Sequence, residues 1–325
     1  MLSTTGSSMK RHFWHIPALA LLMGTSFLSF YSNVSWGKTL PSDTSTSSLT
    51  QQTIFQPVKD YRVLKTPVTT SITTDHVDVR KIFWYGCPHC YSLDAIVDDW
   101  LKTLPNYVNF QRIPAFYSLP GEDNSKNNTA GGNKRKRVNL WKLHARLYYT
   151  VNKMVKDGNI KPSRKMVTGY HNQSAKNNRN EIEETGKLTS LDRKKHNADE
   201  QEILRKKLFE RINDAIFYEV QENRNYLKDS QSMARFLSKK FGVNKKRFND
   251  VFNSMPISMQ LMQTSSVMKD YGLKGVPAII IDGRYVVEPA KAGSLEKMTD
   301  IADFLIRKVY TEKHTEKDGK RREHS

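Results

Sequence analysis

The sequence predicts an α/β fold, and three consecutive stretches carry that prediction. Residues 77–85 are rich in β-branched and aromatic side chains, which suit a largely buried strand. Apolar residues between 93 and 104 recur every three or four positions, which predicts a helix that ends at Pro105. Residues 107–113 alternate in polarity and predict a second strand. Together they form a β-α-β unit, and open α/β sheets place their sites at the carboxyl ends of such strands.

Both cysteines of the chain lie in the turn between the first strand and the helix. Cys87 and Cys90 are separated by Pro88 and His89. Two thiols at this spacing can close as a disulfide or open to a dithiol, so the pair can store a two-electron oxidation. The first helical turn offers unpaired N–H groups to a thiolate at Cys87, and Pro88 fits there because it has no N–H. His89 would stabilise the same thiolate by charge or hydrogen bonding, so we expect Cys87 to be the nucleophile and Cys90 the resolving thiol.

Three other interpretations of this cysteine pair compete with a redox role: half of a zinc site, a structural disulfide, or two inert buried thiols. A structural zinc site needs about four ligands, and the sequence has neither a second cysteine pair nor a His-x-x-x-His pair. A disulfide across two residues closes almost no loop, and its stabilisation grows with loop length. We therefore expect a redox-active disulfide, with no metal and no further cofactor.

The N-terminus has the pattern of an export signal. Lys10 and Arg11 precede an apolar run over 16–30, and small residues stand before and at Gly37. The run is shorter than the roughly 20 residues that a membrane-spanning helix needs, so we favour a cleaved signal over a membrane anchor. We predict cleavage after Gly37 and export to the periplasm. In that oxidising compartment a dithiol pair is more useful as a disulfide source than as a reductant.

The formal net charge is +19, which invites a nucleic-acid interpretation. The basic residues, however, crowd into segments with little apolar pattern, where a run of charge is more often a solvated surface than a binding surface. We therefore expect no nucleic-acid partner. Electrostatic capture of acidic substrates is a hypothesis that the same charge supports.

Three groups of residues resemble the DsbA-type periplasmic thiol:disulfide oxidoreductases. The first is the run Phe-Trp-Tyr-Gly-Cys-Pro-His-Cys-Tyr over 83–91. The second is Gly-Val-Pro-Ala over 275–278, ahead of a predicted strand and hairpin, and the third is Arg-Ile-Pro over 112–114 followed by the helical pattern of 141–149. The resemblance covers roughly residues 60–309. It implies a thioredoxin fold into which an α-helical domain is inserted.

The resemblance also implies a mechanism and partners. A cis peptide between Val276 and Pro277 would face the disulfide, and the exposed backbone of Val276 would pair with an unfolded exported protein as an added strand. A substrate thiolate would attack Cys87 to form a mixed disulfide. A membrane quinone-linked reoxidase of the DsbB type would restore the disulfide. A reductase or isomerase, and a chaperone-like binding module with incidental thiols, are the alternatives.

One position departs from the family pattern. The family commonly has an acidic residue six positions before the first cysteine, and this chain has Lys81 there. A buried ammonium at Lys81 would favour the thiolate, but burial is costly and the side chain has the alternative of reaching solvent. We expect Lys81→Glu to raise the pKa of Cys87.

Composition divides the rest of the chain into segments. Asp282-Gly283 between two β-branched runs predicts a hairpin, and His144 on an apolar helix face is better explained as a core or interface residue than as a catalytic one. The predicted order is a signal peptide (1–37), a flexible leader (38–59), the first part of the thioredoxin domain (60–117), a polar loop (118–137), an inserted helical domain (138–262) that contains a disordered insertion (157–198), the second part of the thioredoxin domain (263–312) and a basic tail (313–325).

Overall fold

The computed structural model describes residues 55–70, 75–117, 139–168 and 190–323, with side chains described over 198–315 of the last stretch. The predicted signal peptide, its cleavage site, most of the leader and the polar loop lie outside the described residues. Within the described stretches, no helix is long and apolar enough to cross a membrane.

A five-stranded mixed sheet forms the centre of the α/β part. Its strands are β1 (Arg62–Val63), β2 (Val77–Phe83), β3 (Val108–Pro114), β4 (Ala278–Ile281) and β5 (Tyr285–Val287), in the spatial order β1-β5-β4-β2-β3. Strands β2 and β3 are parallel along their whole length, from Val77 opposite Val108 to Phe83 opposite Pro114. All other pairs are antiparallel. The predicted β-α-β unit is confirmed.

Nine helices with defined bounds surround the sheet in the described residues. They are α1 (Pro88–Trp100), α2 (Leu140–Lys156), α3 (Ser190–Gln221), α4 (Ser230–Phe241), α5 (Lys245–Phe252), α6 (Met255–Thr264), α7 (Val267–Asp270), α8 (Pro289–Ala292) and α9 (Leu295–Glu323). Helices α2 to α7 are inserted between β3 and β4. This order matches the predicted thioredoxin fold with an inserted helical domain.

The two faces of the sheet have separate apolar cores because successive side chains of β2 point to opposite sides. Val79 packs on one side with α1 and α9, in a cluster that includes Leu93 and Leu305. Ile82 packs on the other side with β4, β5 and the segment that follows α7. Helices α1 and α9 therefore cover one face of the sheet, and Lys81, two residues after Val79, points towards them.

A third core holds the helical domain to the end of β2. Phe83, Tyr85 and both cysteines belong to the same buried cluster as the inward faces of α2 to α6. Phe217 of α3 makes aromatic contacts with Phe83, Tyr85 and Tyr91. The cysteines thus lie where the sheet meets the inserted helices.

Turns and caps that the sequence indicates are present. Asp282 and Gly283 both adopt positive φ, 53° and 64°, in the hairpin between β4 and β5. Gly242 ends α4 in the left-handed conformation, and the Asn244 side chain caps α5 by accepting from the Arg247 N–H at 2.9 Å. His144 is buried in the helical core, as predicted.

Two segment predictions differ from the structure. Within the insertion predicted to be disordered, Ile160 is buried, Met166 packs against the helical core and α3 already begins at Ser190. Residues 190–198 extend the amphipathic stretch that buries Leu204, so they gain helical order from a helix that packs elsewhere. The remaining part of that insertion, 169–189, lies outside the described residues.

The basic tail predicted over 313–325 also differs, because α9 continues through it to Glu323. Lys313 donates to the carboxylate of Asp282 at 2.6 Å and to the His76 carbonyl at 2.9 Å, and Glu312 pairs with Arg284. These contacts tie the last part of the helix to the β4–β5 hairpin. The sequence shows charges here but not their partners.

Candidate active site

The two cysteines are positioned by the strand-to-helix turn. Cys87 is the N-cap residue of α1 and Pro88 occupies the first helical position. The Cys87 sulfur accepts the Cys90 N–H at 3.3 Å, one of the unpaired donors of the first turn. Cys87 is 8% exposed, Cys90 is fully buried, and both are free thiols, while Pro88 and His89 are exposed. An incoming thiol can therefore reach Cys87 far more easily than Cys90.

The pKa values of the two thiols are shifted in opposite directions. The hydrogen bond with the Cys90 side chain, the backbone N–H groups of Cys90 and His89, and the charge of His89 together lower the pKa of Cys87 to about 6, against the opposing effect of burial. Burial, and then the neighbouring Cys87, raise the pKa of Cys90 well above that of an ordinary thiol. In the dithiol, Cys87 is the group that ionises.

The loop before β4 meets the cysteines from the opposite side. The Val276–Pro277 peptide is cis, and the Cys87 thiol donates a hydrogen bond to the Val276 carbonyl at 3.3 Å. Pro277 is buried and Val276 is partly exposed. Strand β4 follows directly and pairs with β2, which carries the cysteine turn at its end. The two strands therefore hold the Val276 backbone against the Cys87 sulfur.

Aromatic packing fixes the residues just before Cys87. The indole of Trp84 stacks on Trp141 of α2, with ring centroids 4.3 Å apart and an interplanar angle of 9°. Gly86 lies under the Trp84 ring, where a Cβ atom would be only 2.3 Å from a ring carbon. This close approach explains a glycine in front of the first cysteine.

The contacts of His144 are those of a structural core residue. Its Nε2 lies 2.9 Å from the Tyr226 carbonyl, and its ring contacts Trp84 and Tyr85. Burial lowers the pKa of His144 to about 4, so the imidazole is neutral at neutral pH. A neutral histidine whose Nε2 faces a carbonyl serves as a core donor behind the cysteine turn.

Lys81 is fully buried and does not reach solvent, which decides between the two alternatives for this residue. Its ammonium forms an ion pair with Asp94, one helical turn after Cys90. Burial lowers the pKa of Lys81, whereas Lys81 and Arg112 outweigh burial and hold the pKa of Asp94 below its usual range. The Lys81 charge also acts on Cys90, whose pKa it lowers in opposition to burial.

Arg112 extends this ion pair into a network. Its guanidinium contacts Asp94 at 3.3 Å and also pairs with Asp98, and its carbonyl accepts from the Tyr148 hydroxyl at 2.9 Å. Asp214 of α3 lies near the same carboxylates, and burial followed by Asp98 and Asp94 raises the pKa of Asp214 to about 6. The network thus reaches from β2 to the helical domain.

Sequence reasoning missed Asp94, Arg112 and the polar contacts of Tyr85. The Tyr85 hydroxyl bonds to Asn213, and Gln221 donates to the Tyr85 carbonyl at 2.7 Å. A signal for Asp94 exists in the sequence: it stands between Leu93 and Val97 on the apolar face of α1, where an acid requires a buried cation. The described residues contain no group of three or more His, Cys, Asp or Glu side chains that could hold a metal ion.

Comparison with known sequences identifies relatives of the chain. A family model described as Thioredoxin matches residues 143–301, a segment that runs from α2 into α9. The thiol:disulfide interchange protein DsbA of Burkholderia cepacia is 25% identical over 258 residues, which cover 78% of this chain and 86% of that protein. DsbA of Pseudomonas syringae is 26% identical over 250 residues, covering 77% and 82%.

Solved structures show the same fold. A variant of Pseudomonas aeruginosa DsbA superimposes with a TM-score of 0.52 at 24% identity, covering 78% of this chain and 98% of that one. Reduced DsbA1 of Neisseria meningitidis gives a TM-score of 0.50 at 15% identity, covering 80% and 98%. At these identities the structures show the shared fold, and the sequence relatives are proteins named for thiol:disulfide interchange.

Proposed function

We propose that the chain is a DsbA-type thiol:disulfide oxidoreductase of the thioredoxin superfamily and that it donates its Cys87–Cys90 disulfide to folding exported proteins. One observation carries this proposal: the two thiols at the start of α1 have opposite pKa shifts. Cys87 ionises near pH 6 and Cys90 stays protonated, so the reduced pair holds a stable thiolate at one sulfur. A stable reduced form makes the disulfide a strong oxidant.

The proposed reaction has two exchange steps. A substrate thiolate attacks the Cys87 sulfur, the Cys87–Cys90 bond breaks, and Cys90 leaves with the bonding electrons and takes up a proton. A second substrate thiolate then attacks the substrate sulfur of the mixed disulfide and releases Cys87 as a thiolate. The substrate has lost two electrons and the enzyme has gained them. Because a low pKa makes Cys87 a good leaving group, the second step is fast relative to an ordinary thiol.

Neighbouring residues have supporting roles in this proposal. Pro88 starts α1 without needing an acceptor for an N–H, and His89 contributes charge and a backbone N–H to the Cys87 thiolate. The Val276 backbone, held against Cys87 beside Pro277, pairs with the extended substrate chain. Lys81 tunes the pair through Cys90, since its charge opposes the burial effect on that thiol.

The proposal includes a compartment and a reoxidant. Disulfide donation requires an oxidising environment, which agrees with a signal peptide over 1–37 cleaved after Gly37 and with a periplasmic location. Each turnover leaves the enzyme as a dithiol, so two electrons must pass to an acceptor. A membrane quinone-linked reoxidase of the DsbB type is the proposed acceptor, with unfolded exported proteins as the substrates and no cofactor other than the disulfide.

A trapping experiment tests this function. Oxidised enzyme is mixed with a reduced, unfolded protein that has two cysteines, and loss of substrate thiols is followed over time. We expect substrate oxidation by the wild-type protein and none by Cys87→Ser. Reduced Cys90→Ser, which lacks the resolving thiol, should accumulate a disulfide adduct at Cys87 when incubated with an unfolded protein that contains a disulfide.

Retention of activity by Cys87→Ser would instead support a binding module with incidental thiols. Absence of any adduct with Cys90→Ser would contradict the assignment of Cys87 as the nucleophile.

A further inference from the structure

An open groove of about 730 Å³ runs along the loop that ends in Val276 and Pro277. Its walls are residues 288–291, Arg62 and the loop residues Gly272, Lys274, Gly275, Val276 and Pro277. Val276 lies at the end nearest the active site, because its carbonyl is 3.3 Å from the Cys87 sulfur. A peptide joined to Cys87 by a disulfide would therefore have its flanking residues at or in this groove.

The groove is lined by three basic side chains and one acidic side chain. Arg62 and Glu288 neutralise each other in an ion pair of 2.7 Å. Lys274 and Lys291 remain, and neither forms a salt bridge with an acidic side chain among the described residues. Lys291 is partly buried and donates to the Val58 carbonyl, which satisfies a donor but leaves its charge uncompensated. Lys274 is exposed and two residues from Val276.

The backbone on this side is free to take part in binding. The N–H groups of Gly275 and Val276 make no backbone hydrogen bond within the described parts of the chain. An extended peptide pairing there would advance by roughly 3.3 Å per residue, so a side chain one or two positions from the substrate cysteine comes within reach of the long Lys274 side chain. Val276, Pro277 and Pro289 offer the peptide apolar contacts, and the strength of these contacts does not depend on the charge of that side chain.

We propose that this groove makes the enzyme selective for cysteines flanked by aspartate or glutamate, with Lys274 as the specificity-determining residue. The inference rests on the proposed disulfide-donor function and assigns the substrate class of that same site. It localises charge selection to the two lysines that line this groove, rather than to the net charge of the whole chain. A charge at the rim of an interface acts mainly on the association rate, so the selectivity is greatest at low salt.

Three peptides that differ only at the residues flanking a single cysteine test the proposal. The flanks are Asp on both sides, Lys on both sides, or Ser on both sides. The second-order rate of reaction of each reduced peptide with oxidised enzyme is measured at constant thiolate concentration, which removes the effect of the flanks on peptide pKa. We expect the Asp peptide to react about three to ten times faster than the Lys peptide at low salt, and the ratio to approach one at high salt.

Two variants locate the selectivity. Lys274→Glu is expected to reverse the order of the Asp and Lys peptides. Lys245→Glu, at an exposed position at the start of α5 and outside the groove, makes the same change in net charge and should keep the wild-type order. An unchanged order in Lys274→Glu, or an equal change in both variants, overturns the proposal.

The Ser peptide distinguishes a failure of the proposed charge selectivity from a failure of the proposed disulfide-donor function. If the enzyme oxidises the Ser peptide but treats all three flanks alike, the selectivity is refuted and disulfide donation stands. If the Ser peptide is not oxidised at all, the donor function fails and the selectivity fails with it.

Discussion

At the scale of single residues, the site depends on the difference between two sulfur atoms three positions apart. Cys87 receives the donors of a helix start and keeps some access to solvent, whereas Cys90 faces a closed apolar core. Directed N–H groups favour a thiolate and burial disfavours one, so the same turn produces a reactive thiol and an inert thiol. In the proposed reaction, that difference makes Cys87 the sulfur that substrate thiols attack.

The ionisation of Cys87 gives a pH prediction for the reduced protein. Its folded pKa, about 6, lies below the ordinary thiol value of about 8.5 in the unfolded chain. A lowered pKa stabilises the folded reduced state fully above the unfolded pKa, and that stabilisation is lost as pH falls towards 6. We expect the unfolding free energy of reduced protein, relative to Cys87→Ser, to decline from about pH 8.5 to pH 6. Denaturant titrations across this range measure it, and a flat difference would contradict the assigned pKa.

Lys81 supplies a second prediction at this scale. Lys81→Met removes a buried ammonium and leaves Asp94 with Arg112 as its remaining cationic partner, so we expect a loss of about 3 kcal/mol in unfolding free energy. The loss of the positive charge should also raise the pKa of Cys90. The double variant Lys81→Met/Asp94→Leu replaces the pair by apolar groups and should recover most of the stability. A double variant no more stable than the single one would show that the pair is not the cause.

At the scale of elements, the cysteine turn is rigid because three elements pack around it. Strand β2 lies inside the sheet between β4 and β3, α1 covers one face, and Trp84 stacks on α2. Strand β4 pairs with β2 in antiparallel register and delivers the Val276 carbonyl to the sulfur. The Cys87 environment is therefore built by elements that are distant in sequence but adjacent in the sheet.

Gly86 tests this packing. Gly86→Ala would place a Cβ atom against the Trp84 ring and force the indole off Trp141, so we expect a loss of about 1–3 kcal/mol and a shift in tryptophan fluorescence. Gly275→Ala is the matched control, since a Cβ there meets nothing within 4 Å and its φ is not positive. We expect the control to be neutral or slightly stabilising. Equal effects of the two alanines in urea unfolding would refute the tight contact.

The elements also show what the sequence could predict. The β-α-β unit, the cysteine turn and the Asp282-Gly283 hairpin follow from local patterns, because periodicity and turn chemistry act over a few residues. The network of Lys81 with Asp94 and Arg112 does not, since it requires knowing how α1 lies on β2 and β3. The sequence pattern did not predict the first turns of helix α3, because these turns are polar and gain helical order from the packed part of the helix that follows.

At the scale of the whole molecule, the reactive pair lies where the sheet and the inserted helices share one buried cluster. Phe217 of α3 contacts the residues on both sides of the cysteines, Tyr85 and Tyr91, so the helical domain completes the surroundings of the site. The sheet alone would leave Cys90 less buried, and burial is the largest cause of its raised pKa. The inserted domain therefore contributes to the raised pKa of Cys90 as well as to the fold.

The measurement that tests the account most directly is the redox equilibrium of the Cys87–Cys90 pair in a glutathione buffer. The oxidised fraction is followed by intrinsic tryptophan fluorescence and checked by alkylation of free thiols. Because the Cys87 thiolate stabilises the reduced form, we predict a reduction potential well above the value of about −270 mV typical of thioredoxin. A potential at or below that of thioredoxin would contradict disulfide donation and would identify the protein as a reductase.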